Sequence, residues 1–454
     1  MKLNQNCVKA GFVGFGEVNS PQQLIHDKCL SALEEVKSLG FEIITTDHVT
    51  DDPKGNDVRR ALKDLKNADF DLLIVCIAGW IPSHAVITVT NEFKGKPMIL
   101  WGLTGDIENG RLVTTAPQAG TTALRKVFED LGYKFKYIYN IVGKPSPLDK
   151  ILNFAIAAKA VKSIESTKVG MMGFRDMKLY NTLYDGLSLK TKIGTEIEFF
   201  EMLEMLQQSG NIEDKEVQTI LDKIKLEWNF DKPVDDNFLK KGITYYLAIR
   251  KIAEENGFDA ISLKDVDGMK KLLSFPPAMI FMLLSDEMRV CTIPENDAMG
   301  AVTQLVIKHI TGQCAAYLEF YEFFESSVLL GVPDFVPAEV VDGKVKVTPA
   351  AFGDISGGLL NISTMKTGKL TMARLSNTGD QYTMHICTGE GKLKSWEEAG
   401  WSYPAPQLPS LEIFLDTSVE EFVQKISGQH YIIAYGDHSQ ALSDFCFLKN
   451  IETI

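Results

Sequence analysis

Three stretches of this 454-residue chain place acids or an imidazole where strands and helices should meet. In IPENDAMGAVTQLVIKHITG (293–312) a short apolar run ends at Glu295, Asn296 and Asp297, and an apolar-periodic helix follows. In open α/β sheets ligands gather at the carboxyl ends of strands, which suits Glu295 to meet one. Asn296 or Asp297 equally suits a helix cap, since short polar side chains there accept from free N–H groups. In AAYLEFYEFFESSVLLG (315–331) three glutamates punctuate an aromatic strand. Alternation along a strand puts Glu319 and Glu325 on one face and Glu322 on the other. Glu319 then stands either at a solvated edge or in a pocket. His430 opens the apolar strand HYIIAYGD (430–437), either as a hydrogen-bonded structural residue or as a ligand. Carboxylates so placed can move protons, and a neutral imidazole can bind a metal.

Other motifs carry less. His26, His48, His84, His309 and His385 have no carboxylate-rich setting. GFVGFGE (11–17) lacks the full G-x-G-x-x-G spacing of a dinucleotide loop and a well-placed ribose-binding acid. GMMGFRDM (170–177) is similar, and its Arg175 suits either an anion or an acidic partner. Neither a P-loop nor a G-x-S-x-G elbow occurs.

The elements that must hold these residues read as α/β. VKAGFVGF (8–15), FEIITT (41–46), DLLIVCIAG (71–79) and KPMILWG (96–102) are buried strands alternating with helical patterns such as 21–39. That alternation implies a parallel sheet covered on both faces. The pattern restarts at KVGMMGF (168–174), with further strands TEIEFFEM (195–202) and FDAISLK (258–264). From 328 to 414 short strand-like runs separated by glycine turns read as an antiparallel, barrel-like β domain. The expected organisation is two doubly wound Rossmann-like domains, 1–167 and 168–315, and a β-rich domain, 316–454, ending in a helix.

A net charge of -13 argues against a nucleic-acid partner, which needs a concentrated cationic face. Seven scattered cysteines, none in a C-x-x-C pair, point to a reducing compartment. The N-terminus lacks an apolar stretch of signal-peptide length, and the longest apolar window (70–89) is interrupted by Asp71, Pro82 and His84. A cytoplasmic chain with a small ligand and no membrane is expected.

Read in order, the motifs resemble the L-arabinose and L-fucose isomerase superfamily. PENDAMGAVTQLVIKHITG is similar to the segment in which an acid-x-Asp precedes a Gly-Ala-rich helix, and LEFYEFFESSVLLG to the next, where a second acid begins an aromatic strand. GQHYIIAYGDHSQAL resembles the segment carrying the last metal-binding His. ADFDLLIVCIAGW, KPMILWGLTG and VGMMGFRDMKLY extend the likeness over nearly the whole chain. The resemblance implies metal-dependent aldose–ketose isomerisation through an enediol, usually with Mn²⁺. It makes Glu295 and Glu319 both acid/base groups and metal ligands, and His430 a third ligand. It also implies a homotrimer or homohexamer, with Trp80 in AGWIPSH (78–84) stacking on a sugar in a neighbouring subunit's site. In the family a metal-binding His follows the aromatic strand, whereas here the turn reads Gly331-Val332-Pro333-Asp334, leaving Asp334 as the conditional fourth ligand. The alternative is a catalytically weak or inactive relative that binds a sugar.

Overall fold

The computed structural model describes residues 7–332, 335–352, 354, 356–394 and 409–454. The chain forms two compact units, Met1–Lys162 and Ser163–Ile454. The first division falls close to the expected 167. The expected division at 315 lies inside the second unit.

In the first unit β1 (Lys9–Phe15), β2 (Glu42–Thr45), β3 (Leu72–Ile77) and β4 (Met98–Gly102) are followed by a hairpin of β5 (Asp106–Glu108) and β6 (Arg111–Val113), then by β7 (Phe135–Tyr139). The parallel sheet runs β2-β1-β3-β4-β7. β3 and β4 are buried at every position, as continuous apolar strands covered on both faces must be. The glycines of GFVGFGE have a packing role: a Cβ on Gly14 would lie 2.3 Å from Cys29 Sγ, and one on Gly16 2.7 Å from Ile25 Cγ2. Both let helix Gln22–Ser38 close onto β1. Trp80 follows β3 with its side chain 40% exposed.

The second unit begins with β8 (Lys168–Met172), β9 (Glu196–Phe200), the short β10 (Asn229–Phe230), β11 (Ala260–Leu263) and β12 (Cys291–Ile293). Four of these make a parallel sheet in the order β12-β11-β8-β9. Then come β13 (Ala316–Phe323), β14 (Ser327–Gly331), β15 (Lys346–Phe352), β16 (Ser356–Asn361), β17 (Gly368–Thr378), β18 (Gln381–Lys392), β19 (Ser410–Leu415), β20 (His430–Tyr435) and β21 (Glu452–Thr453). Six of them close a barrel, β17-β20-β13-β14-β19-β18, sealed by pairing of β17 with β18. The sequence reading of mixed α/β structure with parallel sheets and a barrel-like β region is met by this topology. Two features tie the segments on either side of 315 together. A separate three-stranded sheet, β10-β15-β16, pairs Asn229 with Lys346, and helix Ala298–Thr311 packs against β11 and β12 of the parallel sheet as well as β17 and β20 of the barrel. A boundary at 315 therefore does not separate independent cores.

Candidate active site

The ends of β8, β11 and β12 meet at the segment following β12. Glu295 and Asn296 both have left-handed backbones, with φ of 63° and 54°, a conformation uncommon for residues with a Cβ. Each neighbour of Glu295 has a structural duty. Asn296 donates from Nδ2 to the carbonyls of Met172, Gly173 and Phe174 at 2.8–3.0 Å, tying the segment to the end of β8. Asp297 caps helix Ala298–Thr311, accepting from the Gly300 N–H at 2.9 Å. The capping role open in the sequence thus belongs to Asp297, and the loop conformation turns Glu295 to a separate task.

Glu295 is anchored by its backbone. Its N–H donates to Asp265 Oδ1 at 3.0 Å. Asp265 begins a π-helical segment, Asp265–Lys270, directly after β11. Such i→i+5 turns are rare and concentrate at functional sites. Asp265 Oδ2 accepts from Lys270 at 3.0 Å, with both side chains buried. Asp176, in the segment after β8, accepts the N–H groups of Val266 and Asp267. Burial, and then the neighbouring Asp265 carboxylate, push the Asp176 carboxyl up to about 6.

Glu319 and His430 come from the barrel. They are direct partners in the antiparallel pairing of β13 with β20, so their side chains leave the same face. Glu322 and Glu325 are exposed, so of the three acids only Glu319 turns inward. The register of β13 against β14 shifts between Phe320 and Glu322. Glu319 accepts a hydrogen bond from Gln429 Nε2 at 2.8 Å. Burial raises its carboxyl above the ordinary value, with the Gln429 hydrogen bond and the charge of Lys270 pulling the other way.

His430 joins the two halves. Its Nδ1 lies 3.9 Å from Glu295 Oε2, and its Nε2 lies 3.7 Å from Glu319 Oε2. The ring stacks on Tyr317 with centroids 4.3 Å apart and planes 15° from parallel. Burial pushes its imidazole down to about 3, with the charges of Asp297 and Arg374 acting in opposite senses. The ring is therefore neutral across the physiological range. Tyr317 is fixed in turn, donating from its hydroxyl to Asp297 Oδ2 at 2.8 Å. Asp297 is gripped by Arg374, whose Nη1 bonds Oδ2 and whose Nη2 lies 2.9 Å from Oδ1. Burial alone would raise the Asp297 carboxyl, but the charge of Arg374 together with hydrogen bonds from Arg374, Gly300 and Tyr317 outweighs it and holds the carboxyl below its ordinary value.

The arrangement brings Glu295, Glu319 and His430 together. Trp80 belongs to the first unit, and Asp334 lies outside the described residues. Val332 is buried in the main core cluster. Sequence reasoning missed Asp176, Asp265, Lys270, Tyr317 and Arg374. Two of them carried a signal: Asp265 follows the apolar strand AISL, and Arg374 is a lone cation inside the apolar run TMARL.

As a metal cage the donors do not fit. A neutral imidazole and two carboxylates have the right chemistry for a divalent ion, but the carboxylates approach different nitrogens of one ring. Among the described residues no three His, Cys, Asp or Glu side chains group so as to hold a metal ion. A cavity of about 300 Å³ in the first unit, lined among others by His26, His48 and Asp47, is remote in the chain from these acids. Among the described residues no helix is long and apolar enough to cross a membrane. No protein-family model matches the chain, and no curated protein matches it in sequence.

Proposed function

We propose that the chain is an aldose–ketose isomerase of the kind its motifs resemble, working through an enediol at Glu295, Glu319 and His430. The observation that carries this reading is the placement of two carboxylates on either side of one buried, neutral imidazole. Isomerisation needs a base for the C2 proton, a donor for C1, and a route for the hydroxyl proton between O2 and O1. Glu319, made more basic by burial, takes the C2 proton and returns it to C1. Glu295, on the other side of His430, moves the hydroxyl proton. The neutral ring of His430 adds no charge that would quench either carboxylate.

The wider reading belongs to the same proposal: two doubly wound Rossmann-like domains with a barrel, an oligomer of three or six chains, and a cytoplasmic sugar as ligand. Mn²⁺, which the resemblance brings with Glu295, Glu319 and His430 as ligands, is kept as a matter for titration, and no step is routed through it.

The test is washout of label from a panel of C2-deuterated aldoses in ordinary water. The intact chain is expected to exchange at least one of them. Glu295→Gln and Glu319→Gln should each slow that exchange by roughly 10²–10⁴-fold without altering the circular dichroism spectrum. Near-native exchange in either variant removes that residue from the relay. A second reading, binding without turnover, is favoured by the burial of Val332 where the family keeps a metal-binding His. Saturable protection of the protein by an aldose that shows no exchange would select it.

A further inference from the structure

The acids of this site share a buried cation that the family resemblance does not supply. Lys270 and Asp265 form an ion pair at 3.0 Å with side chains only 5% and 1% exposed. The neighbouring Lys271, one step along the chain, is half-exposed and pairs with Asp267 instead. The π-helical segment ends at Lys270, and the helix that follows starts at Lys271, with one lysine inward and the other outward. Burying an ammonium is costly even when it is paired, and truncating one partner leaves a charge uncompensated. A salt bridge kept at this depth therefore calls for an account beyond stability.

The position supplies one. Asp265 holds Lys270 with one oxygen and the Glu295 N–H with the other, so the ammonium is coupled rigidly to the residue that opens the site. Its charge also acts on Glu319, on the barrel side. Lys270 is thus tied through Asp265 to the Glu295 backbone and acts by charge on Glu319. The reaction proposed above develops negative charge on O1 when the C2–H bond breaks and the electron pair of C1=O moves to oxygen. That charge needs an electrophile, and the described donors do not group around a metal ion.

We propose that the Lys270 ammonium is that electrophile, binding the carbonyl oxygen of the open-chain sugar and stabilising the enediolate, with Asp265 as its positioning residue. This rests on the isomerase reading of the site. The atoms balance without an external reagent. Glu319 takes the C2 proton as the C1=C2 bond forms and O1 gains the electron pair beside Lys270. The C1–H bond then forms from the Glu319 carboxylic acid, the O2 proton passes through Glu295 to O1, and C2=O closes. Lys270 keeps its protons throughout and acts by charge.

The experiment compares the full chain with Lys270→Met and Lys270→Arg, all treated with chelator and checked for metal by mass spectrometry. Label washout is measured on the best C2-deuterated aldose. In parallel, calorimetry measures affinity for a four-carbon sugar hydroxamate, which carries the enediolate's charge, and for xylitol, which does not. Loss of one such donor typically costs about 10²–10³-fold in rate. Lys270→Met is expected to lose washout and hydroxamate affinity to that order while xylitol affinity changes less than about threefold. Lys270→Arg, which keeps the charge if the methionine variant does not fold, should retain hydroxamate binding and a part of the washout. Washout by the intact chain that vanishes on chelation and returns with Mn²⁺ overturns the Lys270 assignment and leaves the isomerase reading standing. Equal loss of both ligands in Lys270→Met also overturns it, because a structural role predicts that pattern. Failure of the intact chain to exchange any aldose, with or without Mn²⁺, brings down the isomerase reading and the lysine's role with it.

Discussion

Arg374 grips Asp297 with both terminal guanidinium nitrogens although 77 residues separate them in the chain. The pair joins β17 of the barrel to the first turn of the helix after β12, and neither side chain is more than 2% exposed. Gly300 makes the grip possible: a Cβ there would lie 2.6 Å from Asp297 Oδ2 and 2.9 Å from Tyr317 Cε2. Asp297, Tyr317 and His430 then follow in contact, so the ion pair sets the tilt of the imidazole between its two glutamates.

Breaking this pair from one side should be costly. Arg374→Met leaves a buried carboxylate without its cation, and a loss of about 3–5 kcal/mol in urea unfolding is expected. Asp297→Asn should be comparably harmful, and the double variant less harmful than the sum of the two. Additive losses would show that the two residues act separately.

Acid should destabilise the protein through its buried imidazoles. The folded pKa of His430 is about 3 and that of His385 about 4, each lowered first by burial from an ordinary value of 6.5. The unfolded chain therefore binds more protons below pH 6.5, so stability is full above that value and falls as pH drops toward 3 or 4. Asp176, raised to about 6, acts in the opposite sense, losing its contribution as pH rises from 3.8 to 6. His430→Gln and His385→Gln should each flatten the acid limb of a stability-versus-pH curve measured by denaturant midpoint. An unchanged limb in both variants would assign acid lability to other groups.

Mn²⁺ binding is expected to be weak and exchangeable. One ion taking a single nitrogen of His430 would have to draw the other carboxylate across the ring, a rearrangement that subtracts from affinity. Calorimetric titration of chelator-treated protein should show saturation only with metal in large excess, lost in His430→Ala. A further loss in Asp334→Ala would implicate that residue. Tight binding at a one-to-one ratio would show that the donors regroup readily.

Trp80 offers the check on assembly. Its indole is substantially exposed after β3, and an aromatic face of this kind stacks against the C–H face of a sugar. Light scattering at micromolar concentration should report a trimer or hexamer, and Trp80→Ala should weaken aldose binding without changing the fold. A monomer would break the link between Trp80 and a neighbour's site.

What the sequence made legible follows from chemistry that acts over short stretches. β3 and β4 are continuous apolar runs, and the helix after Asp297 has an apolar period, so both stand out in any window. Glu319 could be separated from Glu322 by strand alternation alone. Lys270 and Arg374 could not be placed in the same way. The burial of Lys270 depends on a π-helical turn, and the partner of Arg374 is on another element, so neither is visible until long-range pairing is formed. The expected boundary at 315 failed to separate two cores for the same reason, since the pairing of Asn229 with Lys346 leaves no trace in local composition.

Under the isomerase proposal, the backbone at Glu295 sets stability and turnover at odds. With φ at 63° the residue adopts a conformation that glycine accepts freely and glutamate resists. Replacing it by glycine would relieve strain of about 1 kcal/mol or more while deleting one of the two acids. A library selected only for heat resistance would therefore drift toward glycine at this position. If the proposed reaction holds, laboratory evolution of this protein must select on it from the first round, or it will improve the scaffold by erasing Glu295.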